Sequence, residues 1–307
     1  MSQATVITHG DVDGMTCAAQ LIRYEHGDCE LQFSNARWIA GKLGALAKHG
    51  DRPARIYITD IPASARCLPA AQQLAQSGIE IYWFDHHPWE DGLLAELRQA
   101  CAEIVHRPAI QYPAGVLLGM WLEAKDAYCK RIGQICYASE RGTAWERDWF
   151  RLLSSYIGKC DRAILERLAN DAGFTADDRA RIAAQVELEE RAESIVSQEP
   201  ERVQAVRGRS IAVYDTSASR GIYIGGKVFG HHDVDYCLVR IAPHKWQLAC
   251  HPGRGLDMAH LLGRHALDGA TIRVGGRPDR LLSIELSDGD VPDDLHGQVV
   301  AWAANRL

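Results

Sequence analysis

At 307 residues and 47% hydrophobic content the chain can bury a large core, and a prior of about 100 to 200 residues per domain favours two domains. A formal charge of −6, from 34 basic and 40 acidic side chains, argues against a protein that coats long nucleic acid through its phosphates. With no run near the roughly 18 apolar residues of a membrane span, no signal-peptide pattern at 1–6, and nine cysteines without a C-x-x-C pair, a soluble cytoplasmic chain with reduced thiols is expected.

The first element is a β-branched apolar strand, Ala4-Thr5-Val6-Ile7-Thr8, followed by polar His9-Gly10-Asp11-Val12-Asp13-Gly14 and a helical run over 15–24. The same rhythm returns at 55–59, ending on Asp60, and at 79–84, ending on Asp85-His86-His87-Pro88, with Ala- and Leu-rich helical segments such as 64–77 between. Strands alternating with helices predict a parallel sheet covered on both faces, and such sheets gather ligands at the carboxyl ends of their strands. Helices are expected from 112 to about 166, and a charged helix over 179–197 connects to a second domain before Pro200. Strands at 210–214, 236–241, 246–250 and 281–286 predict a smaller mixed α/β domain, giving boundaries of 1–200 and 201–307. The charge divides accordingly: 21 basic against 28 acidic residues up to 200, and 13 against 12 beyond it. That split suits carboxylates gathered on cations beside a surface that receives an anion.

Three polar clusters fall at three predicted strand ends: His9-x-Asp11-x-Asp13-Gly14, Asp60 in Ile58-Thr59-Asp60-Ile61-Pro62, and Asp85-His86-His87. Any one of them alone reads as turn and capping chemistry, because Asp and Gly are ordinary turn residues. Together they supply carboxylates and imidazoles without thiolate, a donor set suited to Mn²⁺, Fe²⁺, Mg²⁺ or Zn²⁺. Two such ions about 3.5–4 Å apart can hold the attacking and leaving oxygens of a phosphoryl group and activate a water, which predicts hydrolysis of a phosphate ester.

The set Thr8-His9-Gly10-Asp11-Val12-Asp13-Gly14, Thr59-Asp60-Ile61-Pro62 and Phe84-Asp85-His86-His87-Pro88 resembles, in order and spacing, the DHH phosphoesterase superfamily. That superfamily includes RecJ-type exonucleases, nanoRNases, cyclic dinucleotide phosphodiesterases and family II inorganic pyrophosphatases. The resemblance implies a two-domain phosphohydrolase with two divalent ions, Mn²⁺ first and Mg²⁺, Fe²⁺ or Co²⁺ as substitutes. By resemblance His9 and Asp11 hold one ion and Asp13, His86 and Asp161 the other, with Asp60 bridging. Asp85 is a ligand or orients an imidazole, and His87 contacts the scissile phosphate or protonates the leaving group. Asp161, in Ile157-Gly158-Lys159-Cys160-Asp161, is the best match to a later family aspartate.

The second domain resembles the companion domain called DHHA1, whose glycine-rich Gly-Gly-His-Pro loop binds the far end of the substrate. Here Val274-Gly275-Gly276-Arg277-Pro278 stands in that place, with Arg277 where the family has histidine. Gly275 and Gly276 would let backbone N–H groups approach an anion, and Arg277 could add a bidentate phosphate contact. Arg254, in His251-Pro252-Gly253-Arg254, is a further candidate for a substrate phosphate. Gly230-His231-His232-Asp233 imitates a metal motif but precedes a strand, so it reads as a loop, and no single tryptophan or tyrosine stands out as a base platform.

The expected activity is hydrolysis of phosphodiester or phosphomonoester bonds in a phosphorylated nucleotide or short single-stranded oligonucleotide, without a membrane partner. The alternatives are a single-strand exonuclease, a cyclic dinucleotide phosphodiesterase, and a non-catalytic nucleotide sensor. The sequence leaves open the substrate, any exonuclease polarity, the physiological metal, and whether the chain works alone or as a homodimer.

Overall fold

The computed structural model describes residues 3–48, 52–108, 112–138, 142–216, 224, 227–267, 270–277, 281–289 and 294–307. The packing divides the chain into two compact units, 1–185 and 186–307.

The first unit opens with β1 (Ala4–Thr8), α1 (Val12–Tyr24), β2 (Cys29–Phe33), α2 (Ile39–Lys48), β3 (Arg55–Thr59), α3 (Leu68–Gln76), β4 (Glu80–Asp85), α4 (Leu93–Leu97) and β5 (Glu103–His106). The strands form one parallel sheet in the order β2-β1-β3-β4-β5. Strand side chains alternate between faces, so each face has its own core. Ile7, Ile56, Ile58, Ile81 and Trp83 pack with Ile39, Leu43 and Leu74 on the side of α2, α3 and α4. Ala4, Val6, Tyr57 and Phe84 pack on the other side against α1 and the helices that follow. These are α5 (Ala114–Leu122), α6 (Ala127–Gln134), α7 (Ala144–Ser154) and α8 (Arg162–Ala169). A parallel sheet with helices on both faces is therefore the architecture, as the alternation of strands and helices predicts.

Because β1 lies between β2 and β3, successive connections leave it in opposite directions. The crevice at the carboxyl ends of β1 and β3 is the topological switch point where such sheets bind ligands.

The predicted connecting helix is α9 (Ala176–Val196). Its start is fixed by Thr175 and Asp178: the Thr175 N–H and hydroxyl both donate to Asp178 Oδ2 (2.8 Å each), and the Asp178 N–H donates back to Thr175 Oγ1 at 3.2 Å. The division between units falls within this helix, between Gln185 and Val186, and its last turns place Ala192 and Val196 in a core with Ala212, Tyr214 and Val228.

The second unit carries β6 (Glu201–Gln204), β7 (Ser210–Asp215), α10 (Val228–His231), β8 (Tyr236–Ala242), β9 (Lys245–Cys250), β10 (Gly263–Leu267), β11 (Ala270–Arg277), β12 (Leu281–Gly289) and α11 (Leu295–Arg306). Its sheet runs β10-β11-β12-β9-β8-β7-β6 and is mixed, with β7 and β8 parallel and the other pairs antiparallel. The expected smaller mixed α/β domain is thus present. One expectation is corrected: Gly275-Gly276-Arg277 does not form a loop but the end of β11, in register with Ser283, Leu282 and Leu281 of β12. A glycine backbone keeps the N–H and C=O that an antiparallel ladder needs, and the weak strand propensity of the residue hid the strand. Pro278 lies outside the described residues. Among the described residues no helix is long and apolar enough to cross a membrane.

Candidate metal centre at the strand ends

β1 ends on Thr8, and the chain turns through His9 and Gly10 into α1, whose N-cap is Asp11; its carboxylate accepts the Gly14 N–H at 3.0 Å. The turn is possible only because residue 14 lacks a side chain: a Cβ there would stand 2.2 Å from the His9 carbonyl oxygen. A hydroxyl chain ties strand to strand and strand to helix, since Thr59 Oγ1 donates to Thr8 Oγ1 (2.7 Å), which donates to the Gly14 carbonyl (2.8 Å). These buried bonds fix the relative height of the β1 and β3 ends.

Asp13, in the first turn of α1, is seated on the start of α5. Its Oδ1 accepts the Gly115 N–H at 2.7 Å and its Oδ2 the Ala114 N–H at 2.9 Å, where the unpaired N–H groups and dipole of a helix start favour an anion. The Cys136 thiol is the third donor to the carboxylate, reaching Oδ1 at 3.3 Å. Gly115 permits this seat: a Cβ would lie 2.4 Å from Thr16 Oγ1.

Asp60 follows β3 in a left-handed backbone conformation (φ 56°), which Asp tolerates better than most residues, and it is only 2% exposed. His9 Nδ1 stands 3.0 Å from Asp11 Oδ2 and 3.7 Å from Asp60 Oδ2. On the other side, His86 Nε2 lies 3.4 Å from Asp60 Oδ1 and 3.5 Å from Asp13 Oδ2. His9, Asp11 and Asp60 form one group whose ligand atoms lie within 4.8 Å of one another; Asp60, His86 and His87 form a second. Asp60 belongs to both.

Asp85, fully buried at the end of β4, has both oxygens occupied. Oδ1 meets His87 Nδ1 at 2.8 Å, and Oδ2 accepts the His87 N–H (3.1 Å) and the Trp89 indole N–H (2.7 Å). Trp89 stacks on His106 at 4.3 Å, and His106 Nε2 contacts the His87 carbonyl oxygen at 2.7 Å. Asp85 therefore orients His87 and the loop that follows.

The electrostatics are those of an anionic cluster held together at a cost. Burial, reinforced by Asp13 and Asp11, pushes the Asp60 carboxyl well above the usual range, and burial followed by the charge of Asp11 raises Asp13. For Asp11 burial works upward, but the bond to His9 and the backbone donor from Gly14 outweigh it and hold the group at about 2. The bond to Asp11 raises His9, against its own desolvation. Asp60 Oδ2 is shielded from solvent and accepts no hydrogen bond from any described residue. Buried charge is normally paired or coordinated, and an unpaired carboxylate oxygen between three other carboxylates and three imidazoles fits a divalent cation.

Of the predicted site residues, the structure brings together His9, Asp11, Asp13, Asp60, Asp85, His86 and His87. Asp161 belongs to neither group; it is exposed and caps α8, accepting the Ala163 N–H at 2.9 Å. Arg254 is spoken for by acids, with Nη1 2.8 Å from Asp235 and Nη2 on Asp233. Of Gly275, Gly276 and Arg277 the structure gives the strand register above. His231 and His232, excluded as ligands, bind Glu193 Oε1 (2.6 Å) and the Val196 carbonyl (2.7 Å). Sequence reading missed Cys136 and Trp89, neither of which belongs to a motif, and it missed the groove that flanks His9. That groove of about 420 Å³ is lined by His9, Gly10, Asp11, Phe33, Trp38 and Lys42 among others.

No family model matches the chain. No curated protein matches it either. Solved structures do. A DHH-domain protein described as a member of a family of ribosomal proteins superposes with a TM-score of 0.60 at 16% identity, covering 98% of this chain and 85% of its own. The exonuclease RecJ bound to manganese superposes with a TM-score of 0.50 at 13% identity, covering 92% of this chain and 86% of its own.

Proposed function

From the premise that this chain has the DHH-superfamily fold, we propose that it is a divalent-metal-dependent phosphohydrolase acting on phosphodiester or phosphomonoester bonds of nucleotides or short oligonucleotides. One observation carries the reading: Asp60 at the switch point is shared by two carboxylate–imidazole groups, its Oδ2 buried without a hydrogen-bond donor among the described residues. The manganese in the RecJ structure makes Mn²⁺ the first ion to try.

His9, Asp11 and Asp60 would hold one ion; Asp60 and His86, with Asp13 beside them, would hold the other. When bound, the ions polarise the scissile phosphate and lower the pKa of a water. The protein's own groups do the rest. Asp13 is kept from turning by the two α5 N–H groups and the Cys136 thiol, so His86 faces a fixed carboxylate. Asp85 engages His87 at Nδ1, which leaves Nε2 as the nitrogen that meets the phosphate or hands a proton to the leaving oxygen. Buried Thr8 and Thr59 hold the two strand ends that carry His9 and Asp60 in register.

The test is incubation of Mn²⁺-loaded protein with 3′-phosphoadenosine 5′-phosphate, a 5′-phosphorylated dinucleotide, a cyclic dinucleotide, a single-stranded oligomer and pyrophosphate, with products identified by mass spectrometry. Cleavage of a nucleotide member, lost in Asp85→Ala, is the expected result. Failure to bind any divalent ion by calorimetry, or hydrolysis unchanged in Asp85→Ala, overturns the reading.

A further inference from the structure

The chain leaving β2 runs beside the metal centre. Phe33 pairs in register with Thr8, and the Ser34 N–H donates to the Thr8 carbonyl at 2.8 Å, so the turn over 34–38 passes next to His9. On the far wall the Gly158 N–H donates to the Gly10 carbonyl at 3.2 Å, which brings Ile157 to the same place. Together these segments border an open groove of about 420 Å³, within the size range of a small-molecule site, roughly 300–1,000 Å³. His9 and Asp11 belong both to the groove wall and to one metal-capable group, so the groove opens directly onto the place where a scissile phosphate would sit.

Its composition is unlike that of a site for inorganic phosphate. Trp38 is 57% exposed and Ile157 55%, large apolar surfaces that a folded chain does not leave in water without cost. The Arg37 guanidinium lies over the Trp38 ring, 4.9 Å from its centroid. Lys42 contributes a positive charge whose only described partner is the neutral Gln32 amide, at 3.3 Å. An aromatic platform backed by a cation, beside a lysine and next to a phosphate site, has the chemistry that receives a stacked base with its ribose and phosphate.

We propose that the β2–α2 groove is a nucleobase subsite in which Trp38 stacks the base attached to the reacting phosphate. The proposal rests on the phosphohydrolase reading for its orientation and extends it: the substrate is a base-bearing nucleotide and not pyrophosphate or polyphosphate.

The experiment measures binding of AMP and of ribose 5-phosphate to the Mn²⁺-loaded protein by calorimetry, in the parent and in Trp38→Ala and Trp38→Phe, whose exposed position spares the core. AMP should bind about 10-fold or more tighter than ribose 5-phosphate, within the span of about 5- to 150-fold expected for one stacked base. Trp38→Ala should abolish that preference while leaving ribose 5-phosphate unchanged, and Trp38→Phe should restore most of it. Equal binding of the two probes by the parent, no binding of AMP, or a preference indifferent to Trp38→Ala overturns the subsite. The two readings fail separately. Nucleotide turnover with a Trp38-independent preference keeps the hydrolase and removes the subsite; a Trp38-dependent preference with no turnover across the panel keeps the subsite and removes the hydrolase.

Discussion

The first unit gathers several acids around buried Asp60, the second buries the single acid Asp235 among its described residues, and the two sites are built in opposite ways. Around Asp235 the chain supplies its own counter-charges: the carboxylate takes the Ser210 N–H at 2.9 Å, the Ser210 hydroxyl at 3.2 Å, Arg209 at 3.3 Å and Arg254 at 2.8 Å, and its pKa falls despite burial because of these donors. Around Asp60 the chain supplies more acids, and the pKa rises. An acidic residue paired by the fold is serving the fold. One crowded by other acids, with an oxygen that accepts no hydrogen bond from any described residue, adds little to the fold and suits a cation. Composition cannot separate the two, since His231-His232-Asp233-Val234-Asp235 matches the Asp85-His86-His87 segment in residue types.

The contrast can be broken by exchanging what each carboxylate loses. Asp60→Asn should reduce hydrolysis by about 100-fold or more, with loss of metal binding by calorimetry. In the metal-free protein it should raise the melting temperature by about 2–4 °C, because a buried charge has been removed. Asp235→Ala should act in reverse: stability by chemical denaturation falls by about 2–4 kcal/mol, as Arg254 and the Ser210 groups lose their acceptor, while metal affinity stays as it was. A melting temperature lowered by Asp60→Asn, or unmoved by Asp235→Ala, would erase the distinction.

The pH dependence sharpens it. Asp60 and Asp13 have folded pKa values raised above their unfolded ones, so the folded state binds more protons and loses stability as pH climbs through the carboxylate range and beyond. His9, also raised, contributes stability at low pH that is lost as pH rises through its folded pKa. Asp11, held at about 2, contributes stability that is constant above the ordinary carboxylate range and disappears only in strong acid. Between about pH 5 and about pH 8 the site's contribution to metal-free stability therefore declines, and the gain in melting temperature on adding Mn²⁺ should widen over that window. A gain that narrows would contradict the assignment. The smallest effect is reserved for Cys136→Ala, which removes one of three donors to Asp13: metal affinity should drop by about 10-fold at most, with no change in the metal-free melting profile beyond about 1 kcal/mol.

Much of the first unit was legible because strand ends punctuate its sequence. β1, β3 and β4 are uniform β-branched and aromatic runs that stop at polar clusters, and the parallel topology brings those clusters together whatever lies between them. β2 and β5 were harder: Cys29-Glu30-Leu31-Gln32-Phe33 alternates as half-exposed edge strands do, and Glu103-Ile104-Val105-His106 is only four residues long. With β2 unread, the groove built on Phe33 and Trp38 was invisible, since an exposed tryptophan looks like any other in a sequence. The seat of Asp13 was hidden for a different reason. Two of its three donors are backbone N–H groups, at positions 114 and 115, and Gly115 and Cys136, which complete the seat, belong to no motif.

That seat also has an order in time. Every side chain in the two metal-capable groups, together with Asp13, is translated within the first 87 residues, whereas the N–H groups that lock Asp13 arrive at 114 and 115 and the Cys136 thiol later still. A ribosome-bound chain thus displays these side chains before it can fix Asp13, and the segment over 114–136 acts as the closing stage of assembly, holding that carboxylate in one orientation.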